Sequence, residues 1–348
     1  MMIRPRTLPT TVAALVAAVA LLSSATPAHA VASAAPAAAV PGTAAAPDAT
    51  TVTSARTAAA GTSSAGEGPE RHFFTQALGY SLVHLDRDAP GSNDWGCRPS
   101  SVRPRPVVLV HGTWENRYNN FARMSPALKR AGFCVFALDY GDDPDNVISL
   151  HPAVKGTGDI RRSAEELAAF VDRVLAATGA AKVDIVGHSQ GGMMPRQYLK
   201  FGGGANKVGS LITLGATHHG TTLSGIATLV GRLGLLGLAG LVIGTAALQQ
   251  AVGSPFLAEL NAGGDTVPGV NYLVIATRYD EVTTPYRTTF LTAGPDATVR
   301  NVTLQDGCLL DKSDHLSMTY SPRAIGYVLQ GLDPGAPRPP CVPHLPVL

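Results

Sequence analysis

The sequence predicts an α/β fold, a mostly parallel sheet with helices on both faces, and three observations carry that prediction. From Arg105 onward, short β-branched apolar runs alternate with longer stretches of helical periodicity, the pattern of βαβ units. The apolar runs are continuous, as strands buried on both faces require. One long, nearly uncharged segment between His219 and Glu259 interrupts the alternation, which predicts a helical insertion standing outside the sheet.

The elements follow in order. Arg4 and Arg6 precede an apolar run over 11–22, and Ala28-His29-Ala30 offers a small-x-small cleavage signature. Together these predict a secretory signal peptide over 1–30 and a secreted, extracellular protein. Residues 31–68 are almost all Ala, Thr, Ser, Pro and Gly. Such a stretch has too few large apolar side chains to offset its ordering entropy, so a flexible linker is expected. One domain over 69–348 remains. Within it, 106–111, 133–138, 182–187, 208–214, 271–276 and 297–305 read as strands. Helices are expected over 121–130, over 160–177 with Asp159 as N-cap, from the 187–191 turn to about Lys200, and over about 316–332.

The insertion, placed at about 218–268, carries Arg232 as the single formal charge between His219 and Glu259. Hydropathy alone would permit a membrane span. Sheet strands flank the segment on both sides, and a span there would split the sheet, so no transmembrane segment is expected. Two readings remain: buried cap helices, or an apolar lid whose 223–247 stretch meets a lipid–water interface. Its glycines lower helix stability by about 1 kcal/mol each, which suits a mobile element.

A formal net charge of +2 over 348 residues generates no field that would select nucleic acid. Four cysteines follow the signal: Cys97, Cys134, Cys308 and Cys341. An even number in an exported chain favours two disulfides among three connectivities. The two most local pairings, Cys97–Cys134 and Cys308–Cys341, are the expected ones. No pair has the close C-x-x-C spacing that zinc favours, so no metal is expected.

Gly187-His188-Ser189-Gln190-Gly191 matches G-x-S-x-G, a weak pattern alone. Its position after a β-branched strand and before a helix makes it specific, because a nucleophile elbow is a strand–turn–helix. The turn is tight, so Gly187 and Gly191 leave room where a Cβ would strike the neighbouring strand or helix. Ser189 would then project at the carboxyl end of the sheet. A serine hydroxyl needs a base to remove its proton during attack. In an α/β-hydrolase the chain order is serine, acid, histidine. Only His315 and His344 follow the last plausible acids, and His344 lies in a Pro-rich tail, so His315 is the expected base. Asp280, in the loop after the 271–276 strand, is the expected acid; Asp265, Asp296, Asp306, Asp311 and Asp314 are its competitors. The expected oxyanion hole is the backbone N–H of Thr113, after the first strong strand, and of Gln190, after the nucleophile.

At this point the sequence resembles a known family. Val108-Leu109-Val110-His111-Gly112-Thr113, Gly187-His188-Ser189-Gln190-Gly191-Gly192, Thr277-Arg278-Tyr279-Asp280 and Asp314-His315 are together similar to the secreted class 2 triacylglycerol lipases of actinobacteria. Asn93-Asp94-Trp95-Gly96-Cys97 and Gly132-Phe133-Cys134 resemble that family as well. The resemblance covers about 70–345. It implies a single α/β-hydrolase domain, hydrolysis of lipid esters by the Ser189, Asp280, His315 set, and no cofactor. Ala216-Thr217 departs from the Ser-Pro or Thr-Pro that the family usually carries before its histidine; His218 and His219 are read as anchors of the cap.

The expectation is therefore a monomeric, secreted serine esterase or lipase acting on acylglycerol or other esters through an acyl-enzyme. Acyl transfer and polyester or cutin-type hydrolysis use the same machinery. A non-catalytic lipid-binding homologue is the alternative from another class, and the intact Ser, Asp, His set argues against it.

Overall fold

Residues 66–144, 146–222, 225 and 243–347 are described by a computed structural model. The signal peptide expected over 1–30 lies outside the described residues, as do all but the last three positions of the 31–68 linker. So does the 223–247 stretch, apart from Gly225 and 243–247.

Six strands form one sheet: β1 (Val107–Val110), β2 (Val135–Leu138), β3 (Val183–His188), β4 (Val208–Leu214), β5 (Asn271–Ala276) and β6 (Thr298–Thr303). Their order is β2-β1-β3-β4-β5-β6, and every neighbouring pair is parallel. The α-helices that lie wholly within the described residues are α1 (Phe74–Val83), α2 (Met124–Arg130), α3 (Ile160–Thr178), α4 (Gln190–Phe201), α5 (Thr245–Gln249), α6 (Pro255–Asn261) and α7 (Pro322–Leu332). After β2 the chain crosses back over β1 to lay down β3, so the order reverses between β1 and β3. In open parallel sheets a ligand crevice forms outside the carboxyl ends of the strands at such a switch point. Thr113 follows β1 there and Ser189 follows β3.

Alternation along each strand builds two cores. Val108 and Val110 of β1 pack with Ile160, Leu167 and Val171 of α3 and with Met193, Met194 and Tyr198 of α4. Val107 and Leu109 face the other side, against Met124 and Leu128 of α2 and Ala324, Val328 and Leu332 of α7. All four β1 residues are fully buried, which explains why the strand reads as a continuous apolar run. Each fully buried Val or Leu contributes about 1.5–3 kcal/mol of transfer free energy.

Helix ends obey local chemistry. The Asp159 side chain accepts from the N–H groups of Arg161 and Arg162, as the N-cap reading required, and Gly179 ends α3 in the left-handed conformation. The last helix differs from its expected span. Residues 317–320 form a single 3₁₀ turn, and α7 begins only at Pro322. A residue before proline is driven out of the helical region, and Ser321 takes an extended conformation and caps α7 through the N–H groups of Arg323 and Ala324. His315 therefore sits on a loop rather than at a helix start. The expected 121–130 helix likewise starts at Met124, after a turn.

Both local cysteine pairings are formed, Cys97–Cys134 and Cys308–Cys341. The second ties the Pro-rich tail beside α7. The tail is fixed, against the expectation for its histidine: His344 is buried, its ring lies 3.1 Å from the Ser317 carbonyl oxygen, and its backbone pairs with Leu310 and Lys312. Closing a loop with a sequence separation of 33 is worth roughly 3–4 kcal/mol in the chain-entropy model. Replacing Cys308 and Cys341 together by serine is expected to lower Tm by several degrees in a thermal melt. An unchanged Tm would show that the tail is held without the bridge.

Candidate active site

The sheet ends β3 with an abrupt reversal. Ser189 adopts φ 54° and ψ −124°, a strained backbone for a residue with a side chain. The strain is held by neighbours on every side. The Ser189 N–H donates to the Leu214 carbonyl at 2.9 Å, and its carbonyl accepts from Gly192 and Met193 as α4 begins. A Cβ on Gly187 would overlap the Gly191 carbonyl, and one on Gly191 would overlap the carbonyl oxygens of Val110 and His111. The two glycines of the motif thus let β3, α4 and β1 approach as closely as the turn demands. Ser189 is 2% exposed and lines a small cavity with Thr113, Trp114, Thr217, Gln250 and Val282. A wider cleft of about 380 Å³ lies elsewhere, among Asn271, Arg300 and Gln330 at the starts of β5 and β6 and beside α7, and no base or carboxylate lines it.

Asp280 and His315 meet as expected. His315 Nδ1 lies 3.0 Å from both carboxylate oxygens of Asp280. Asp280 Oδ1 also accepts the N–H groups of Val282 at 3.0 Å and Thr283 at 2.7 Å, which aims the carboxylate at the ring. Gly215, following β4, packs against the Asp280 carboxylate and the His315 ring together. Burial of the ring opposes its protonation, but the charge of Asp280 and its hydrogen bond outweigh this, with Glu281 and Glu115 adding; the His315 pKa is pushed up to about 9. His315 Nε2 is buried without a hydrogen-bond partner. It is not bonded to the Ser189 hydroxyl, a looseness common at unliganded sites, where such contacts tighten around substrate.

Four of the five competing carboxylates are committed elsewhere, and the fifth, Asp296, is exposed. Asp265 lies 3.0 Å from His219 Nε2 and 3.4 Å from Arg196, and Asp306 pairs with Arg278 at the surface. Asp311 accepts from Ser313 and Ser321, while Asp314 accepts the N–H groups of Ser317 and Val347. Asp296 is exposed in a turn. His218 and His219 anchor the start of the insertion: His218 Nε2 lies 3.2 Å from Thr213 Oγ1, and His219 Nδ1 lies 2.8 Å from the Thr288 carbonyl.

Among the described residues, the N–H groups of Thr113 and Gln190 donate to no other group. Their side chains, by contrast, are locked. Thr113 Oγ1 donates to Gln190 Oε1 at 2.6 Å, and Gln250 Nε2 reaches both, at 2.8 and 3.0 Å. Thr217 Oγ1 closes the set on Gln250 Oε1 at 2.8 Å. Gln250 directly follows α5, so the insertion is pinned onto the two loops that flank Ser189. The sequence reading missed Gln250, and also Glu281, whose carboxylate accepts the His315 N–H at 3.3 Å. The Gln249-Gln250 pair at the end of a nearly uncharged run was the available signal for the first.

The parallel sheet reversing at β1/β3, with a strained serine on the β3 elbow and a histidine–carboxylate pair beyond β5, defines an α/β-hydrolase. The model of the family "Lipase (class 2)" matches residues 104–325, and the chain belongs to that family. It is 33% identical over 198 residues to a triacylglycerol lipase of Pseudarthrobacter phenanthrenivorans, covering 54% of each chain. A triacylglycerol lipase of Burkholderia plantarii is also 33% identical, over 54% of this chain and 49% of that protein. The chain thus spans about half the length of the curated relatives it matches. Among solved structures, Aspergillus fumigatus lipase B superposes with a TM-score of 0.52 at 20% identity, over 72% of this chain and 56% of that one.

Proposed function

We propose that the chain is a secreted carboxylic ester hydrolase of the acylglycerol-lipase type. The observations that carry this reading are the His315 ring held by Asp280 and the strained, buried Ser189 on the elbow after β3, at the sheet's switch point. Ser189 Oγ attacks the ester carbonyl carbon while its proton passes to His315 Nε2. The free N–H groups of Thr113 and Gln190 hold the oxyanion, as preorganised dipoles that need no reorientation. The C–O bond to the alcohol then breaks and His315 returns the proton to the leaving alkoxide. Water, activated by the same ring, releases the acid and restores Ser189. Asp280 fixes the tautomer with Nδ1 protonated and stabilises the imidazolium.

Export over the 1–30 signal is supported by the two disulfides, which persist in oxidising compartments. The 69–348 domain acts as a monomer, and 223–247 is the stretch proposed to meet lipid. No helix among the described residues is long and apolar enough to cross a membrane. The test is hydrolysis of a short-chain and a long-chain chromogenic ester by the purified protein, with a fluorophosphonate probe mapped by mass spectrometry. Turnover of at least one ester, with the probe on Ser189, is the expected result. Failure on both esters would favour the lipid-binding reading, and faster transfer to an added alcohol than to water would favour an acyltransferase.

A further inference from the structure

A second histidine–carboxylate pair lies under the first. His188, the last residue of β3, is 0% exposed, and Glu115, in the loop after β1, is 1% exposed. His188 Nδ1 lies 2.9 Å from Glu115 Oε2, within hydrogen-bond distance. On the other side of the ring, His188 Nε2 donates to the backbone carbonyl of His315 at 2.9 Å. The two imidazoles lie with their centroids 4.9 Å apart. Glu115 is held in turn: its Oε2 accepts the Gly112 N–H at 3.1 Å, and its Oε1 accepts from Asn120 Nδ2 at 3.1 Å. Asn120 Oδ1 accepts the same Gly112 N–H at 3.1 Å, and its Nδ2 lies 3.1 Å from His188 Nδ1.

Among the described residues Glu115 pairs with no lysine or arginine, and a buried carboxylate so placed is costly unless hydrogen bonds compensate. A structural core position would be filled more cheaply by an apolar side chain. What this cluster touches explains the expense. Gly112 precedes Thr113, His188 precedes Ser189, and the carbonyl that His188 holds belongs to His315 itself. Three loops that diverge from different strands are tied to one pair of side chains at the positions where the reaction needs them to agree.

We propose that Glu115 and His188 are positioning residues, a buried dyad that fixes the His315 loop against the nucleophile elbow and the oxyanion loop. The proposal rests on the triad reading above. The dyad acts in two ways. It sets the distance over which His315 Nε2 must reach Ser189, which governs the rate of proton transfer rather than substrate affinity. It also places the Glu115 charge below the His315 ring, where that charge adds to those of Asp280 and Glu281 in favouring the imidazolium. Asp314 is the remaining acidic group beside the ring's own backbone, and its carboxylate is occupied by Ser317 and Val347.

The test is Glu115→Gln, which keeps the shape and removes the charge. Expected is a kcat on a soluble short-chain ester about 10-fold to 100-fold lower, a KM within about twofold, and an acid limb of the kcat/KM–pH profile moved to lower pH. Direction follows from sign: removing a negative charge makes the imidazolium less favoured, so the free base appears at lower pH. A structural role alone would lower Tm and leave kcat per titrated site and the acid limb unchanged; that outcome overturns the proposal. His188→Gln, whose carboxamide still reaches toward the His315 carbonyl, gives the kcat and KM readouts where Glu115→Gln does not fold; it keeps the Glu115 charge, so its acid limb is not expected to move to lower pH. Glu115→Asp should recover the acid limb but only part of kcat, because the charge returns and the reach does not. Fluorophosphonate labelling separates the two readings. If wild-type protein is not labelled at Ser189, the triad reading fails; if Ser189 is labelled and both variants keep the wild-type kcat and acid limb, only the dyad fails.

Discussion

Replacing Ser189 by alanine is expected to lower kcat on a short-chain ester by about 10³-fold or more while the protein stays folded. The substitution deletes one oxygen. Alanine fits the same space and meets the same backbone constraint, since the φ of 54° is imposed by the bonds from Ser189 to Leu214, Gly192 and Met193 rather than by the side chain. Gly187 and Gly191 keep the clearances that the turn requires. Thermal melting should therefore change little. What disappears is the proposed nucleophile, and water is a poor substitute for it. The residual rate should reflect binding and the N–H donors of Thr113 and Gln190, as it does in triad enzymes stripped of their serine. The check is kcat on one soluble ester together with a melt. Near-wild-type turnover in a homogeneous, folded mutant would refute the acyl-enzyme mechanism outright.

Most of what frames that site was legible, for a physical reason. Strands buried on both faces must be apolar throughout, so Val107–Val110 and Val208–Leu214 announce themselves, and their spacing gives the alternation that predicts a parallel sheet. The elbow is legible because only glycine tolerates the approach of β3, α4 and β1 at positions 187 and 191. Asp280 is legible from topology, being the acid that follows a strand at the carboxyl edge. Helix boundaries are less so: periodicity runs through 316–332, but Pro322 pushes Ser321 out of the helical region and starts the helix anew.

The roles of the supporting residues were not legible, because each depends on partners far away in sequence. Glu115 and His188 are 73 residues apart, His188 and the His315 carbonyl 127, and Gln250 and Thr113 137. Each sits in a segment whose own pattern is that of an ordinary loop or strand end. Their partnership exists only once the sheet has reversed between β1 and β3. The insertion illustrates the same limit from the other side. Its apolar composition suggests a surface for lipid over 223–247, which lies largely outside the described residues, while Gln250, beyond that stretch, binds the side chains of Thr113 and Gln190. Any displacement of α5 would pull on Thr113 and Gln190 together.

Asp280→Asn is expected to lower kcat by about 10⁴-fold, the size of the effect in the serine-protease template, with thermal stability retained. The asparagine amide can still occupy the site, and its oxygen can still accept from the Val282 and Thr283 N–H groups. It then presents an NH₂ group toward His315 Nδ1. Two donors cannot share that contact, so the ring moves its proton to Nε2, where the Ser189 proton must be received. The base is thus lost without the fold being lost. A second consequence follows from charge. In the wild type, Asp280 is the main influence that outweighs burial and raises the His315 pKa to about 9. The wild-type acid limb of kcat/KM is therefore expected on the alkaline side of the ordinary histidine range, because only the neutral ring can take the proton. In Asp280→Asn the residual activity should show that limb displaced to lower pH. Asp306→Asn and Asp311→Asn serve as controls for the choice of acid. Asp306 is a surface partner of Arg278 and should be silent, while Asp311, buried against Ser313 and Ser321, should lower Tm more than kcat. A steep loss of kcat at Asp306 or Asp311, with Asp280→Asn nearly silent and the acid limb unmoved, would place the acid on another strand and break the assignment.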